Sequence, residues 1–459
     1  MDTPVPWRAG LLTILFIAAL ARLWHIDAWP YVLFDEADYA TAAVKYLAGQ
    51  AFVMNHPPLV PLQFAALAWL AGASADQRFP AALLPYGNFP FALMRAATAV
   101  AGTLLVLLVS LLARDITGSP AVGLLAGFFA ALDNALVIYA RLILPDTWLL
   151  LYGTAGWWCF FKKDTAADHR GWNTWLSCAG IFFGLAISVK ATGLFFPAVA
   201  FLYAAWRART HGRHDISQVA KRVLLVPFLV ALTVTLIHWL LLDATGPVVL
   251  VGSNTPHYVF TIVRDNNPLL PKHPALARLA QLLAETALSY LYTISGHLAG
   301  SQHSAASAWW MWPFMHKPMK LLAHRPAGET ASALVVIGNP AVWLGGLAAL
   351  IFTLWQRYQR RPQLFPGADF LLFSYGLYMA VMAFLPGPMF LYHYFPALIL
   401  MIILLAAVLV RLPLITTPHR LAFLALVLAG FLYIAPYTYG LSMEVYWTPR
   451  LPFIHPPIG

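Results

Sequence analysis

Two adjacent carboxylates, Asp35 and Glu36, follow the first apolar stretch of the chain, within Tyr31-Val32-Leu33-Phe34-Asp35-Glu36-Ala37-Asp38-Tyr39. An ionised carboxylate is costly in or beside hydrocarbon, so acids at a membrane edge are functional candidates by default. Such a group can take the proton of an attacking hydroxyl, which contributes about 10²–10⁴-fold to a rate. A free Asp titrates near about 3.9 and is a weak base unless low dielectric or a neighbouring carboxylate raises that value. The plain alternative is that both acids end a helix in the headgroup layer. Arg95, Arg141 and Lys190 fall at the ends of apolar segments on the same side, where they suit the oxygens of a phosphate. Arg is better matched to forked phosphate contacts than Lys. Snorkelling to the headgroups, or pairing with a nearby acid, accounts for the same three positions.

Other polar residues carry paired readings. His56 precedes two prolines that fix the backbone whatever the imidazole does; it reads as an acceptor contact, a metal ligand or a turn residue. His393, between Tyr392 and Tyr394, reads equally as a phosphate contact or an aromatic-belt residue. Trp309, Trp310 and Trp312 read as a platform over a sugar or, more commonly for interfacial Trp, as an anchor. Asp133 and Asp146 read as structural partners of Arg141. The acids and histidines lack a ligand spacing that would indicate a metal; a divalent metal is possible but not indicated, since the basic groups can handle a phosphate alone.

These residues need elements to position them, and composition says which. Of 459 residues, 61% are hydrophobic and only 10% charged, with mean hydropathy +0.71. A soluble domain cannot hide that much apolar surface, so the chain reads as an all-α polytopic membrane protein. The net charge of +10 does not indicate nucleic acid, because most Lys and Arg sit in short loops between apolar segments. Cys159 and Cys178 lie in or beside apolar segments, and no disulfide framework is implied. At about 20 residues per span, candidates are roughly 9–28, 90–113, 119–138, 142–161, 173–189, 191–207, 222–242, 334–355, 368–386, 393–411 and 420–439. The first could be mistaken for a secretion signal, but the many spans behind it favour an uncleaved transmembrane helix.

With Arg8 in the cytoplasm, Arg114, Lys162, Lys163, Arg207, Arg209, Arg357, Arg411 and Arg420 fall on one side, as the positive-inside rule asks. Asp35 then lies outside, together with the long loops 29–89 and 243–333 and the tail 442–459. Within the first loop, Glu36 to Leu47 reads as an interfacial helix. Leu59 to Leu70 is apolar but short for a span and reads as re-entrant or interfacial. The whole, 1–459, reads as one integral membrane domain.

The residues resemble the protein O-mannosyltransferases. Phe34-Asp35-Glu36 followed by Asn55-His56-Pro57-Pro58-Leu59 is similar to that family's first external loop. Similar motifs follow in order: Met94-Arg95, Ala140-Arg141-Leu142-Ile143-Leu144-Pro145-Asp146, Gly184 to Lys190, and His303 through Trp309-Trp310-Met311-Trp312-Pro313. Gly338-Asn339-Pro340-Ala341-Val342-Trp343 and Phe390-Leu391-Tyr392-His393-Tyr394-Phe395-Pro396-Ala397 complete the series.

The resemblance implies a GT-C fold with about eleven spans. It implies inverting transfer of a sugar, mannose being expected, from a polyprenyl-phosphate carrier to Ser or Thr hydroxyls of secreted proteins on the lumenal or periplasmic face. By resemblance Asp35 is the base and Glu36 helps hold the acceptor. Arg95, Arg141, Lys190, His393 and Tyr392 serve the donor phosphate; His56, His303, Trp309 and Trp310 serve acceptor or sugar. No cofactor is expected beyond the lipid-linked sugar. Some family members pair up, so an oligomer stays open.

Departures exist: Val60-Pro61 replace the family's Gly-Lys after the His-Pro-Pro-Leu motif, Met54-Asn55 stand where an acid usually precedes the His, and Ser304 replaces a Pro after His303. The loop also lacks room for the β-trefoil domain of eukaryotic members, which points to a compact bacterial relative in an inner membrane. A lipid or glycan acceptor, as in aminoarabinose transferases, is the alternative. A transporter of lipid-linked sugar ranks below both, because the ionisable groups gather at one face rather than mid-span.

Overall fold

Helices cover all the apolar segments marked above in a computed structural model, which describes residues 6–211, 215–242, 248–251, 259–260, 304–324 and 330–444. The first eight are α1 (Trp7–Leu23), α2 (Glu36–Leu47), α3 (Leu59–Leu70), α4 (Phe91–Thr117), α5 (Pro120–Ala131), α6 (Asn134–Tyr139), α7 (Asp146–Lys162) and α8 (His169–Ile187). Helices at Phe195–His211, Val226–Leu240, Pro340–Tyr358, Ala368–Phe384, Phe395–Arg411 and Thr417–Tyr439 follow. Among the described residues, 5 helical runs are long and apolar enough to cross a membrane by themselves. The segment 119–138 is split at Leu132-Asp133, where the Asp133 side chain caps α6 by accepting from the Leu136 N–H (3.0 Å).

Burial follows the polarity of each helix. Phe395–Arg411 is apolar on every side, which belongs in an interior, and it is buried from Phe395 through Leu409. It packs against α5 and against the Pro340–Tyr358 and Ala368–Phe384 helices. Thr417–Tyr439 is longer, at 23 residues, but mostly on the surface, as befits a helix facing lipid. Where helices touch closely, small residues permit it: a Cβ at Gly180 of α8 would meet the Arg222 carbonyl oxygen at 2.0 Å.

The two ends of the bundle differ. At one, Arg114 (2.7 Å) and Lys162 (3.6 Å) converge on Asp115, and Arg411 donates to the Thr117 carbonyl at 3.0 Å. Arg95 sits near the other end of α4, about 28 Å away at the α-helical rise, close to the roughly 30 Å of a bilayer's hydrocarbon core. α2 and α3 lie at this second end and pack on each other. The structure adds strands that the sequence did not suggest. Phe52–Met54 pairs in parallel with Val248–Val251, tying the first long loop to the second, and Val259–Phe260 completes that sheet. Met319–His324, Thr330–Val336 and Met443–Glu444 form an antiparallel sheet. Four of these strands have only two to four residues, too few for an alternation to be read; Thr330–Val336, of seven, runs into apolar residues that read as the start of the 334–355 span.

Candidate active site

The site is built from the chain entering α2. Phe34 is held at φ +50°, a left-handed conformation that is uncommon for a bulky residue and recurs where function constrains the backbone. It turns the chain so that Asp35 and Glu36 point to different places. Glu36 is fully buried. Its Oε2 accepts from the Leu33 N–H (2.9 Å), Tyr86 Oη (3.1 Å) and Arg95 Nη2 (2.6 Å). Its Oε1 accepts from Arg95 Nε (2.8 Å) and the Ile143 N–H (2.9 Å). Arg95 is buried too and gives its remaining contacts to the carbonyls of Trp29 (2.6 Å) and Tyr31 (3.0 Å).

This forked pair corrects two sequence expectations. Both Glu36 oxygens are engaged, five times in all, by protein donors, an arrangement that fits a structural anchor better than the acceptor contact expected of it. Arg95 is likewise spent, and its guanidinium clamps residues 29–36 onto α4 rather than facing a phosphate. Arg141 is corrected for the same reason. Its Nη1 donates to the carbonyls of Arg22 (2.9 Å) and Trp24 (2.6 Å), and its Nη2 to that of His25 (3.1 Å). These carbonyls lie at and just beyond the end of α1, where a cation both bonds and neutralises the free carbonyls of the last turn. Nor is Arg141 paired with Asp133 or Asp146. Asp133 accepts from the Asn339 N–H (3.1 Å) and Trp343 Nε1 (2.7 Å), which explains the Gly338–Trp343 motif as a helix junction.

Asp35 behaves differently. It occupies the N-cap position of α2 but its side chain does not cap the helix. Its surface is open to solvent, yet it sits in a recess with protein atoms crowded round the carboxyl. That crowding pushes its pKa up to about 7; Asp38 and Asp146 add to the rise and Lys190 opposes it. Burial also pushes Asp38 up to about 6. Lys190 is buried, donates to Asp146 Oδ1 at 2.8 Å, and lies 4.9 Å over the Tyr392 ring. Tyr392 stacks on His393 at 4.5 Å between centroids, and His393 Nδ1 accepts from the Phe390 N–H at 3.1 Å.

The turn His56-Pro57-Pro58-Leu59 is docked beside Lys190, because the Leu59 N–H donates to the Ser188 carbonyl at 3.1 Å. His56 itself is half-buried. Of the tryptophans, Trp312 is the buried one; its Nε1 donates to Ser307 Oγ at 3.0 Å and its ring lies near His393. Trp309 is half-buried and Trp310 is 55% exposed, both in the Trp309–Phe314 3₁₀ turn. His303 lies outside the described residues. The structure thus brings Asp35, Lys190, Tyr392 and His393 toward one mouth, and adds Asp146 and Tyr139, whose part was not read from sequence. Asp146 alone carried a signal: it is the acid opening α7 directly after Pro145. Among the described residues, no three His, Cys, Asp or Glu side chains are grouped as metal ligands.

The helix bundle that carries this mouth has counterparts among solved structures. An S. cerevisiae protein O-mannosyltransferase complex bound to its sugar donor superimposes with TM-score 0.77 at 16% identity, over 96% of this chain and 91% of that one. ArnT from Cupriavidus metallidurans bound to undecaprenyl phosphate gives 0.56 at 15%, over 94% and 64%. The fold is therefore that of the GT-C membrane glycosyltransferases. The sequence model for dolichyl-phosphate-mannose-protein mannosyltransferases matches residues 12–246, and that for the C-terminal four-helix region of protein O-mannosyltransferases matches 289–447. The chain belongs to the protein O-mannosyltransferase family. Dolichyl-phosphate-mannose–protein mannosyltransferase 4 of Candida albicans is 27% identical over 257 residues, 52% of this chain but 34% of its own length. The chain thus spans about a third of that fungal relative. Polyprenol-phosphate-mannose–protein mannosyltransferase of Mycolicibacterium smegmatis is 25% identical over 416 residues, 79% of this chain and 74% of its own length.

Proposed function

We propose that this protein transfers mannose from a polyprenyl-phosphate carrier to Ser or Thr hydroxyls of secreted proteins, with inversion, on the outer face of a bacterial inner membrane. The observation that carries the reading is Asp35: a carboxylate open to solvent, raised to about 7, and anchored by a buried neighbour that fixes the backbone on either side of it. A base titrating near the working pH is both available and strong enough to act. Asp35 takes the acceptor O–H proton while that oxygen bonds to the anomeric carbon. The bond from that carbon to the phosphate oxygen breaks, and polyprenyl phosphate leaves with the electron pair. Lys190 stabilises the charge left on the phosphate. His56, docked beside Lys190, and Trp309 and Trp310 are assigned to the acceptor and sugar, and Tyr392 and His393 to the donor side. The mycobacterial relative, named for polyprenol-phosphate-mannose and protein acceptors, supports this choice of substrates. The acidic mouth faces away from the basic end, which supports an outward orientation by the positive-inside rule.

The test is transfer by purified protein from polyprenyl-phosphate mannose to a Ser/Thr peptide. Inverted-linkage mannosyl peptide, lost in Asp35→Asn, is expected. Sugar appearing only on a lipid acceptor would overturn the protein acceptor and leave the enzyme class standing.

A further inference from the structure

Tyr139, the last residue of α6, is buried to 1% exposure, and its Oη has no hydrogen-bond partner. Leaving a buried hydroxyl unbonded is destabilising, and such groups are rare enough in native proteins to need a reason. The ring packs 5.4 Å from that of Tyr392 and edge-on to Phe395 at 5.0 Å. The same Tyr392 ring carries Lys190 Nζ on it. The phenol is within electrostatic reach of Asp146 and Asp35. It therefore lies one ring away from the Lys190 ammonium, packed on the Tyr392 ring that Lys190 also contacts, without bonding to any of the groups there.

The requirements of a lipid phosphate supply the reason. Placed near Asp35 and Asp146, a phosphate is repelled by two carboxylates and must be held by hydrogen-bond donors. The two arginines that seemed available are spent on Glu36 and on main-chain carbonyls. Lys190 already shares its charge with Asp146. A neutral O–H adds a donor without adding a further charge to a buried site.

We propose that Tyr139 is a donor-binding residue whose O–H bonds a phosphate oxygen of the lipid-linked sugar beside the Lys190 ammonium. This rests on the functional reading above, and one substitution separates the two. Tyr139→Phe removes only the unbonded hydroxyl. A purely structural tyrosine predicts that the variant is as stable or more stable in thermal unfolding and unchanged in ligand binding. The proposal predicts equal or greater stability together with about tenfold weaker binding of polyprenyl phosphate, the loss expected for one hydrogen bond to a charged group. Binding is read by native mass spectrometry or a lipid-dependent thermal shift, with polyprenyl phosphate as the probe, and donor KM is read in parallel.

Weaker polyprenyl-phosphate binding with a raised donor KM supports the assignment. Unchanged polyprenyl-phosphate binding overturns it, including the case in which only mannosyl donor binding falls, which would place the hydroxyl on the sugar. If the unsubstituted protein neither binds polyprenyl phosphate nor turns over the donor, the functional reading itself fails. If it does both and Tyr139→Phe matches it, the Tyr139 assignment alone falls.

Discussion

Asp35 and Asp38 sit one helical turn apart at the start of α2, and both carboxyls are pushed upward, to about 7 and about 6. Since the deprotonated form is the base, kcat/KM is expected to rise with pH through an apparent pKa near 7 that belongs to the pair rather than to either acid. The neighbours set the direction of further shifts. Lys190 lowers the Asp35 value and Asp38 raises it. Lys190→Met should therefore move the rising limb to higher pH, and Asp38→Asn to lower pH, in a pH–rate series on each purified variant. A limb that stays put in both variants would mean that Asp35 is not the group being titrated. Asp35→Asn itself should lose about 10²–10⁴-fold in kcat while leaving the Glu36–Arg95 clamp untouched; because an ionised carboxyl raised to about 7 opposes folding near neutral pH, thermal stability there should hold or rise.

Between elements, the decisive contact is that clamp. From sequence alone, Arg95 in a mostly apolar helix next to an acidic loop invites a phosphate. What the sequence does not display is that Glu36, far away along the chain, closes on it with 2.6 and 2.8 Å bonds. Arg141 is the same story with main-chain carbonyls of residues 22–25 as partners. In both cases charge and depth were legible, and the partner was not, because partners are fixed by tertiary packing. For Asp35 and Lys190 the local context was legible: both stand in turn-forming segments at the ends of helices. Breaking a buried pair strands its partner's charge, at a cost of about 3–5 kcal/mol. Arg95→Ala is thus expected to lower thermal stability markedly and to lose activity through unfolding, instead of selectively weakening donor use. Arg95→Lys should recover only part of the stability, since an ammonium cannot fork across both Glu36 oxygens. A variant Arg95→Ala with unchanged melting and a raised donor KM would return Arg95 to the phosphate.

For the whole molecule, apolar runs of span length were readable because lipid leaves the backbone no partner but itself, and helix is the economical answer. The short strands joining the first loop to the second were not readable, since pairing Phe52–Met54 with Val248–Val251 depends on residues that only the fold brings together. The same architecture makes a directional statement that can be tested directly. Arg114, Lys162, Arg411 and Arg420 gather at one end, and Asp35, Asp146 and Lys190 at the other. If the basic end faces the cytoplasm, a cysteine at the exposed position Ala75, beyond α3, must be reached by a membrane-impermeant thiol reagent added to intact cells. One at Gln359, exposed after the Pro340–Tyr358 helix, must be reached only after the membrane is opened. Both substitutions are made in a background with Cys159 and Cys178, the two native free cysteines, replaced by Ser. Labelling of Gln359→Cys in intact cells with Ala75→Cys protected would turn the protein over, put Asp35 on the cytoplasmic side, and remove secreted proteins from its reach as acceptors.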